Sequence, residues 1–552
     1  MMTARILKLF LLFLIAAFAI SAVGFTQPDL SRQIIQQRID ELWTTGKLQI
    51  GYADIASRHW LTALYERNDF ELLWQNPQNV KDLLDDVGRV AEEGLNPEDY
   101  HLSQLLVLKL RLDDSLSPDP SLLADYDILL TDSLVRLCYH IQFGKVDPES
   151  LESAWNMSRQ IHDKNPVAAI EKRLRTGSLA QGLKNIRPKN DYYRLLKAVL
   201  KKYQAIQDAG GWEPLPEGPT LKPGMTDARI ALLRKRLSIT GELEGADTES
   251  DFYDEDLKAA VMRFQYQHRL EDDGAVGKNT YAALNIPVKE KIDQIRVNLE
   301  RARWIFYKVH PDYILVDIAG FQAYHFEGGT PTWTSKVQVG KPFRKTPVFK
   351  SKIKYIVFNP TWTVPPTILE KDILPKIKKD PNYLSEMKIS VIDQRGGVVD
   401  PVTVNWSQYK KTAPYTFRQE PGPHNALGRM KFIFPNKHFI YLHDTPSQSL
   451  FRPKDRAFSS GCIRVDKKME LAELLLADPD NWNRERIQQL LDTNITQRVN
   501  LPEPKPIMLV YVTVWFDEYD NYMFTRDVYD RDPAVLEGLQ EEFSIWQTRA
   551  IQ

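Results

Sequence analysis

The sequence predicts a multidomain α+β protein: a long helical amino-terminal part, a small helical unit behind a linker, and a mainly-β carboxy-terminal domain with an insertion. Three observations predict it. At 552 residues the chain exceeds what one hydrophobic core usually holds. Apolar residues recur at helical spacing through most of the first three hundred positions, and runs rich in β-branched and aromatic residues follow. A Gly/Pro-rich stretch separates two of the helical parts. The balance of 43% hydrophobic and 26% charged residues is globular, and a net charge of −1 predicts neither nucleic-acid binding nor a broadly cationic surface. Two cysteines make no disulfide framework, and the ten histidines show no metal-ligand spacing.

In chain order, Arg5 and Lys8 precede an apolar run from Leu9 to Phe25. A run of this kind behind positive residues reads as a signal peptide or signal anchor over residues 1–27, with the rest of the chain outside the cytoplasm. Ala17-Phe18-Ala19 and Ser21-Ala22-Val23 each suit a cleavage site, so both the cleaved and the anchored readings stand. No cysteine follows the run, which excludes a lipoprotein anchor. Residues 28–220 read as helical: Ile34-Ile35, Ile39 and Leu42, then Leu83-Leu84, Val87 and Val90, keep helix spacing. Gly144-Lys145-Val146-Asp147-Pro148 breaks one helix, and Cys138 sits in its apolar pattern as a core residue. Gly210-Gly211-Trp212 with Pro214, Pro216 and Pro219 forms the linker.

A compact unit follows over 224–287. Leu232, Leu233 and Leu237 mark one helix, and Leu257, Ala260, Val261 and Phe264 a second. Turns are expected at Asp273-Gly274 and Gly277. Residues 288–304 make a connecting amphipathic helix. From 305 to 535 the period changes: Tyr313-Ile314-Leu315-Val316, Gln322 to His325, Thr334 to Val339, Lys352 to Phe358 and Pro506 to Val514 read as strands. Between Trp362 and Pro423 this rhythm stops, so an insertion is expected over about 363–423, with a lysine-rich helix from Ile368 to Lys379 ended by Pro381. Residues 536–552 form a tail.

The chemistry gathers in one stretch. Phe439-Ile440-Tyr441-Leu442 reads as a strand delivering His443, and a charged surface loop over 447–458 leads to Ser459-Ser460-Gly461-Cys462-Ile463-Arg464. A helix with Asp466 as N-cap is expected next. A cysteine on a Ser/Gly loop before a helix suits a reachable, partly ionised thiol, and an upstream histidine can take its proton. Gly461 permits a tight turn that aims the Gly461 and Cys462 amides at an oxyanion, with the Ser459 and Ser460 hydroxyls beside it.

This stretch resembles the L,D-transpeptidases, whose motif places a histidine upstream of a Ser-x-Gly-Cys loop, and is most similar to the large YcbB-type branch. The resemblance implies Cys462 as nucleophile, His443 as general base and acid, and Gly461, Ser459 and Ser460 as the loop around the oxyanion. It also implies Arg464, Tyr441, Trp362 and Asn359 on the substrate side. Many members of the wider family carry His where Ser460 stands and Asn where Arg464 stands; the variant here fits the large branch. Trp74 and Gly94-Leu95-Asn96-Pro97 resemble that branch's helical scaffold domain. The series Phe264-Gln265, Leu270, Asp273-Gly274, Val276-Gly277, Thr280, Leu284-Asn285 resembles the three-helix peptidoglycan-binding domain. Asn298-Leu299-Glu300-Arg301-Ala302-Arg303-Trp304 resembles the helix that leads into the catalytic domain, and the insertion resembles the branch's lid.

What the resemblance implies is acyl transfer without a cofactor. Cys462 attacks the third-residue carbonyl of a tetrapeptide stem, D-Ala leaves, and a diaminopimelate amine resolves the thioester into a 3→3 cross-link. It also implies carbapenem acylation, peptidoglycan stems and cell-wall synthesis proteins as partners, no nucleic acid, and a Gram-negative periplasmic or inner-membrane location. An L,D-carboxypeptidase, a lipoprotein-attaching or -detaching enzyme, and a non-catalytic wall-binding scaffold stand as alternatives.

Overall fold

A computed structural model describes residues 27–158, 166–176, 179–245, 247–307, 309–380 and 382–542. The apolar segment at 1–26 and the end of the expected tail, 543–552, lie outside the described residues. Among the described residues no helix is long and apolar enough to cross a membrane. The chain divides into two compact units. The first holds residues up to Lys145 with 166–188, and the second holds Val146–Ser158 and Lys189–Leu539.

The first unit is helical. Its axis is Pro120–Phe143, capped by the Asp119 carboxylate accepting from the Ser121 amide. This helix is buried almost all round, and helices Gln27–Thr45, Arg58–Arg67, Pro77–Gly88 and Leu102–Asp113 pack on it. Its polar residues are used internally: the Asp127 carboxylate accepts from the Tyr65 hydroxyl (2.6 Å) and the Trp74 amide (2.9 Å). Cys138 lies on it, buried as expected, and burial pushes its thiol up to about 12.

The second unit contains the rest. Helix Asp191–Asp208 was expected with the amino-terminal helices but packs on helix Val288–Ile305 through Tyr193, Leu196, Val199 and Tyr203. An amphipathic pattern defines a face and not its partner, so the sequence could not assign it. Helices Arg229–Thr240, Glu255–Gln267 and Lys278–Leu284 enclose Leu233, Leu237, Val261, Phe264 and Leu284 as a small separate core. Gln265 ties that unit's loop: its amide nitrogen donates to Asp273, Ala275 and Thr280, and its oxygen accepts from the Gly274 amide. In the connecting helix the buried Glu300 accepts from Arg303 (2.7 Å), Trp304 and the Val146 amide.

The catalytic-domain strands form one sheet that closes on itself. They are β1 (Asp312–Asp317), β2 (Gln322–Glu327), β3 (Thr330–Gly340), β4 (Phe349–Phe358), β5 (Met430–Ile433), β6 (Leu442–His443), β7 (Ala457–Ser459), β8 (Ile463–Val465) and β9 (Gln497–Val510). The order is β7-β3-β8-β6-β5-β4-β9-β1-β2, and β2 pairs back to β3. One side of the sheet carries the core: Val337, Ile356, Phe358, Met430, Phe432, Leu442, Ile463 and Val465, all buried and joined by register. The insertion is a small body with its own apolar core, including Leu374, Ile377, Val391, Trp406 and Phe417. Contrary to expectation it contains strands: Trp362–Thr363, Ser390–Ile392, Val398–Val399 and Thr416–Gln419 form a separate four-stranded sheet. These strands are two to four residues long, too short for an alternation to show in sequence. Helix Asp532–Gly538 carries the fold into the expected tail.

Candidate active site

The site is written in strand register. Gln338 on β3 pairs with Arg464 on β8, Arg464 with His443 on β6, His443 with Lys431 on β5, and Lys431 with Val357 on β4. Paired residues point to the same side of a sheet, so these side chains form one row on the face opposite the core. Two residues before His443 and Arg464, just ahead of β6 and β8, come Tyr441 and Cys462, which the alternation brings to the same face. Strand β6 is only Leu442–His443; Phe439, expected within it, has φ +56° and is 82% exposed at the rim.

Cys462 is half-buried. Its Sγ lies 3.7 Å from the Phe439 carbonyl. The Tyr441 ring stands edge-on to the His443 ring at 5.6 Å, and Lys431 Nζ lies 3.8 Å over the Tyr441 ring. Burial pushes the Cys462 thiol up, opposed by Tyr441, Lys431 and Arg464. Burial, then Arg464 and Lys431, push His443 down to about 3. Its ring is held by a main-chain carbonyl, Nδ1 donating to that of Asp444 (2.5 Å). The resting thiol is therefore protonated and the imidazole neutral, which corrects the expectation of a partly ionised thiol. No hydrogen bond joins His443 to Cys462 among the described residues; Tyr441 lies against both.

The Cys462 loop is fixed from behind. The buried Ser459 hydroxyl accepts from the Gly461 amide (3.0 Å) and donates to the Cys462 carbonyl. This corrects the expectation for Gly461: its amide is taken and does not face an oxyanion. Glycine is required there because φ is +120°; a Cβ would meet nothing closer than 3.6 Å. The Gly461 carbonyl accepts from the Thr346 hydroxyl (2.8 Å), which accepts from the Gly340 amide (2.9 Å). The Tyr529 phenol donates to the Gly340 carbonyl (2.6 Å) and accepts from the Thr346 amide. Gly340 is needed for packing, since a Cβ would lie 2.0 Å from the Arg344 carbonyl. Ser460 is exposed, and its hydroxyl accepts from Arg344 Nη1 (2.7 Å).

Arg464 Nη1 donates to Gln338 Oε1 (3.0 Å), while its buried Nε and the Gln338 amide nitrogen have no partner. Neither Arg464 nor Lys431 has a carboxylate within ion-pair distance among the described residues. Two half-buried cations without counter-charge therefore flank the thiol, an arrangement that favours anion binding. Lys431, Arg344, Thr346 and Phe439 carry no motif signal; only the register and the folded loops bring them here.

Four further expectations are corrected. Asn359 is fully buried with φ +47°. Its amide nitrogen donates to the Leu490 and Ile495 carbonyls, and its oxygen accepts from Arg429 (3.0 Å), so it braces the frame and has nothing left for substrate. The Trp362 indole packs against the insertion's own core. The 447–458 loop is not wholly surface: Arg456 is buried, donating to the Val337, Phe321 and Pro453 carbonyls. The following helix is Lys468–Leu476, without a side-chain cap; Asp466 instead donates its amide to the Lys336 carbonyl. His424 is exposed.

Residues 311–479 match the family model described as the L,D-transpeptidase catalytic domain, a range that includes the whole row and the Cys462 loop. Over these residues the chain is similar to the L,D-transpeptidases. Beside the transpeptidase domain, residues 59–200 match the model described as "Scaffold domain", and residues 226–284 that of the "Putative peptidoglycan binding domain". A curated Haemophilus influenzae protein named "Putative L,D-transpeptidase" is 38% identical over 245 residues, which is 44% of this chain and 48% of that protein. The chain thus matches about half the length of this curated relative. Among solved structures, the L,D-transpeptidase of Stackebrandtia nassauensis aligns over 54% of this chain and 97% of its own, at 12% identity and a TM-score of 0.21. That of Xylanimonas cellulosilytica aligns over 54% of this chain and 100% of its own, at 14% identity and a TM-score of 0.17.

Proposed function

We propose that this transpeptidase forms 3→3 cross-links in peptidoglycan through a thioester on Cys462. The observation that carries the reading is the register row, which sets a buried imidazole, a tyrosine and two uncompensated cations around one half-buried thiol. Cys462 Sγ attacks the carbonyl of the diaminopimelate at the third position of a tetrapeptide stem. The C–N bond to D-Ala breaks, and the thiol proton passes to the departing amine by way of His443, with Tyr441 between the two groups. Lys431 and Arg464 stabilise the thiolate and bind stem carboxylates. The side-chain amine of a second diaminopimelate then attacks the thioester; the new amide forms, the C–S bond breaks, and a proton returns to the sulfur. The three-helix unit holds the wall, and the apolar amino-terminal segment carries the enzyme to the periplasm.

Intact-protein mass after mixing with a purified disaccharide-tetrapeptide tests this. A Cys462 adduct lacking D-Ala, absent in Cys462→Ala, followed by a cross-linked dimer, is expected. An adduct resolving only to tripeptide would replace the cross-linking reading with a carboxypeptidase. Absence of an adduct would remove the acyl-enzyme.

A further inference from the structure

The insertion meets the barrel at one charged point. Its helical arm runs through Pro366–Ile368, a π turn at Leu369–Ile373 and Leu374–Ile377, with Asp372 on the π turn. Asp372 Oδ2 accepts from Arg344 Nη1 (2.5 Å), the nitrogen that also donates to Ser460 two residues before the nucleophile. Among the described residues this is the ion pair that joins insertion and barrel. The two partners differ in setting: the Arg344 side chain is 13% exposed and that of Asp372 40%. Arg344 belongs to the tight turn after β3, its amide donating to the Lys341 carbonyl (2.8 Å) and its guanidinium 5.8 Å over the Phe343 ring. A cation held on the Ser460 hydroxyl of the Cys462 loop is thus neutralised by a carboxylate borrowed from an exposed arm.

Resting on the enzyme reading above, we propose that Arg344 is a specificity-determining residue that receives a carboxylate of the bound peptide, and that Asp372 occupies its place when no peptide is bound. The exchange keeps the guanidinium compensated throughout. Releasing Asp372 costs little, because a part-exposed carboxylate is readily solvated. A substrate carboxylate frees the arm from the nucleophile loop, whereas a neutral peptide offers no exchange and must leave the pair in place.

The test compares alkylation of Cys462 by iodoacetate and iodoacetamide in the full-length protein, followed by intact mass, with Cys462→Ala as control. The reagents transfer matching groups to sulfur with loss of iodide and differ in the carboxylate, so their rate ratio reads charge while the neutral reagent reads loop geometry. Asp372→Asn should raise the iodoacetate-to-iodoacetamide ratio about two- to fivefold by freeing the guanidinium. Arg344→Gln should lower the ratio below wild type, Arg344→Lys should retain part of it, and the double variant should show no rise. An unchanged ratio in Asp372→Asn, or a rise that persists without Arg344, overturns the proposal. Asp372→Asn alters an exposed arm and decides the matter even where Arg344→Gln folds poorly. Alkylation does not require the transpeptidase reaction. A flat ratio in an enzyme that forms the thioester overturns the role of Arg344 alone, and a charge-selective ratio without a thioester overturns the enzyme reading alone.

Discussion

The pH dependence of Cys462 reactivity separates two kinds of cysteine enzyme. In one, thiolate and imidazolium pre-exist as an ion pair and reactivity is flat from acid to neutral pH. Here burial holds the thiol above its ordinary value of 9.0 and pushes His443 down to about 3, so both groups are uncharged across the neutral range. A thiol held above its ordinary value is almost wholly protonated at pH 7. The alkylation rate with iodoacetamide should therefore rise about tenfold per pH unit from pH 5 to 9, with no inflection near the ordinary histidine value. At pH 7 it should lie far below its high-pH limit. The assay is the pseudo-first-order rate by intact mass across that range. Lys431→Met should displace the profile upward in pH, because Lys431 is one of the groups that hold the thiol down. A plateau between pH 5 and 8 would refute the reasoning and restore a resting ion pair. With no plateau, proton transfer to His443 accompanies attack on the bound peptide.

Thr346→Val keeps shape but removes the hydroxyl between Gly461 and Gly340; urea unfolding should show a loss of about 1–3 kcal/mol and acylation of Cys462 should slow, while an unaltered acylation rate would remove Thr346 from loop positioning. Asn359→Ala should lower stability by about 2–4 kcal/mol with kcat/KM per folded molecule unchanged; a raised KM at full stability would return it to the substrate side. Gly461→Ala forces an alanine to φ +120°, costing about 1–3 kcal/mol locally, and should abolish the thioester with the circular dichroism spectrum unchanged. Lys291 is buried over the Phe524 ring, and burial pushes it down to about 7. The unfolded chain binds that proton more readily between pH 7 and 10.5, so the cost is full below pH 7 and fades as pH rises. Lys291→Met should therefore raise Tm at pH 6 and lose that advantage by pH 10; an equal shift at both would refute it.

Much of this protein was legible in its sequence because its signals are local. The helix spacing around Leu83 and Val87, the Gly/Pro linker and the β-rich runs each depend on residues a few positions apart. The candidate site announces itself because a thiol on a Ser/Gly loop behind a strand-end histidine is a short pattern, and Gly461 does adopt the positive φ its loop position suggested. The tertiary structure decided what depends on register and burial. Pairing of β5, β6 and β8 set Lys431 and Arg464 beside Cys462, although 31 residues separate Lys431 from Cys462. Folding of the turn after β3 brought Arg344 and Thr346 to the nucleophile loop from more than a hundred positions away. It committed the Gly461 amide to Ser459 and spent Asn359 on the frame, because buried polar groups bond to whatever the fold places nearest. The ionisation of Cys462 and His443 was likewise beyond the sequence, since a pKa follows desolvation and neighbouring charge, and both are properties of the assembled sheet.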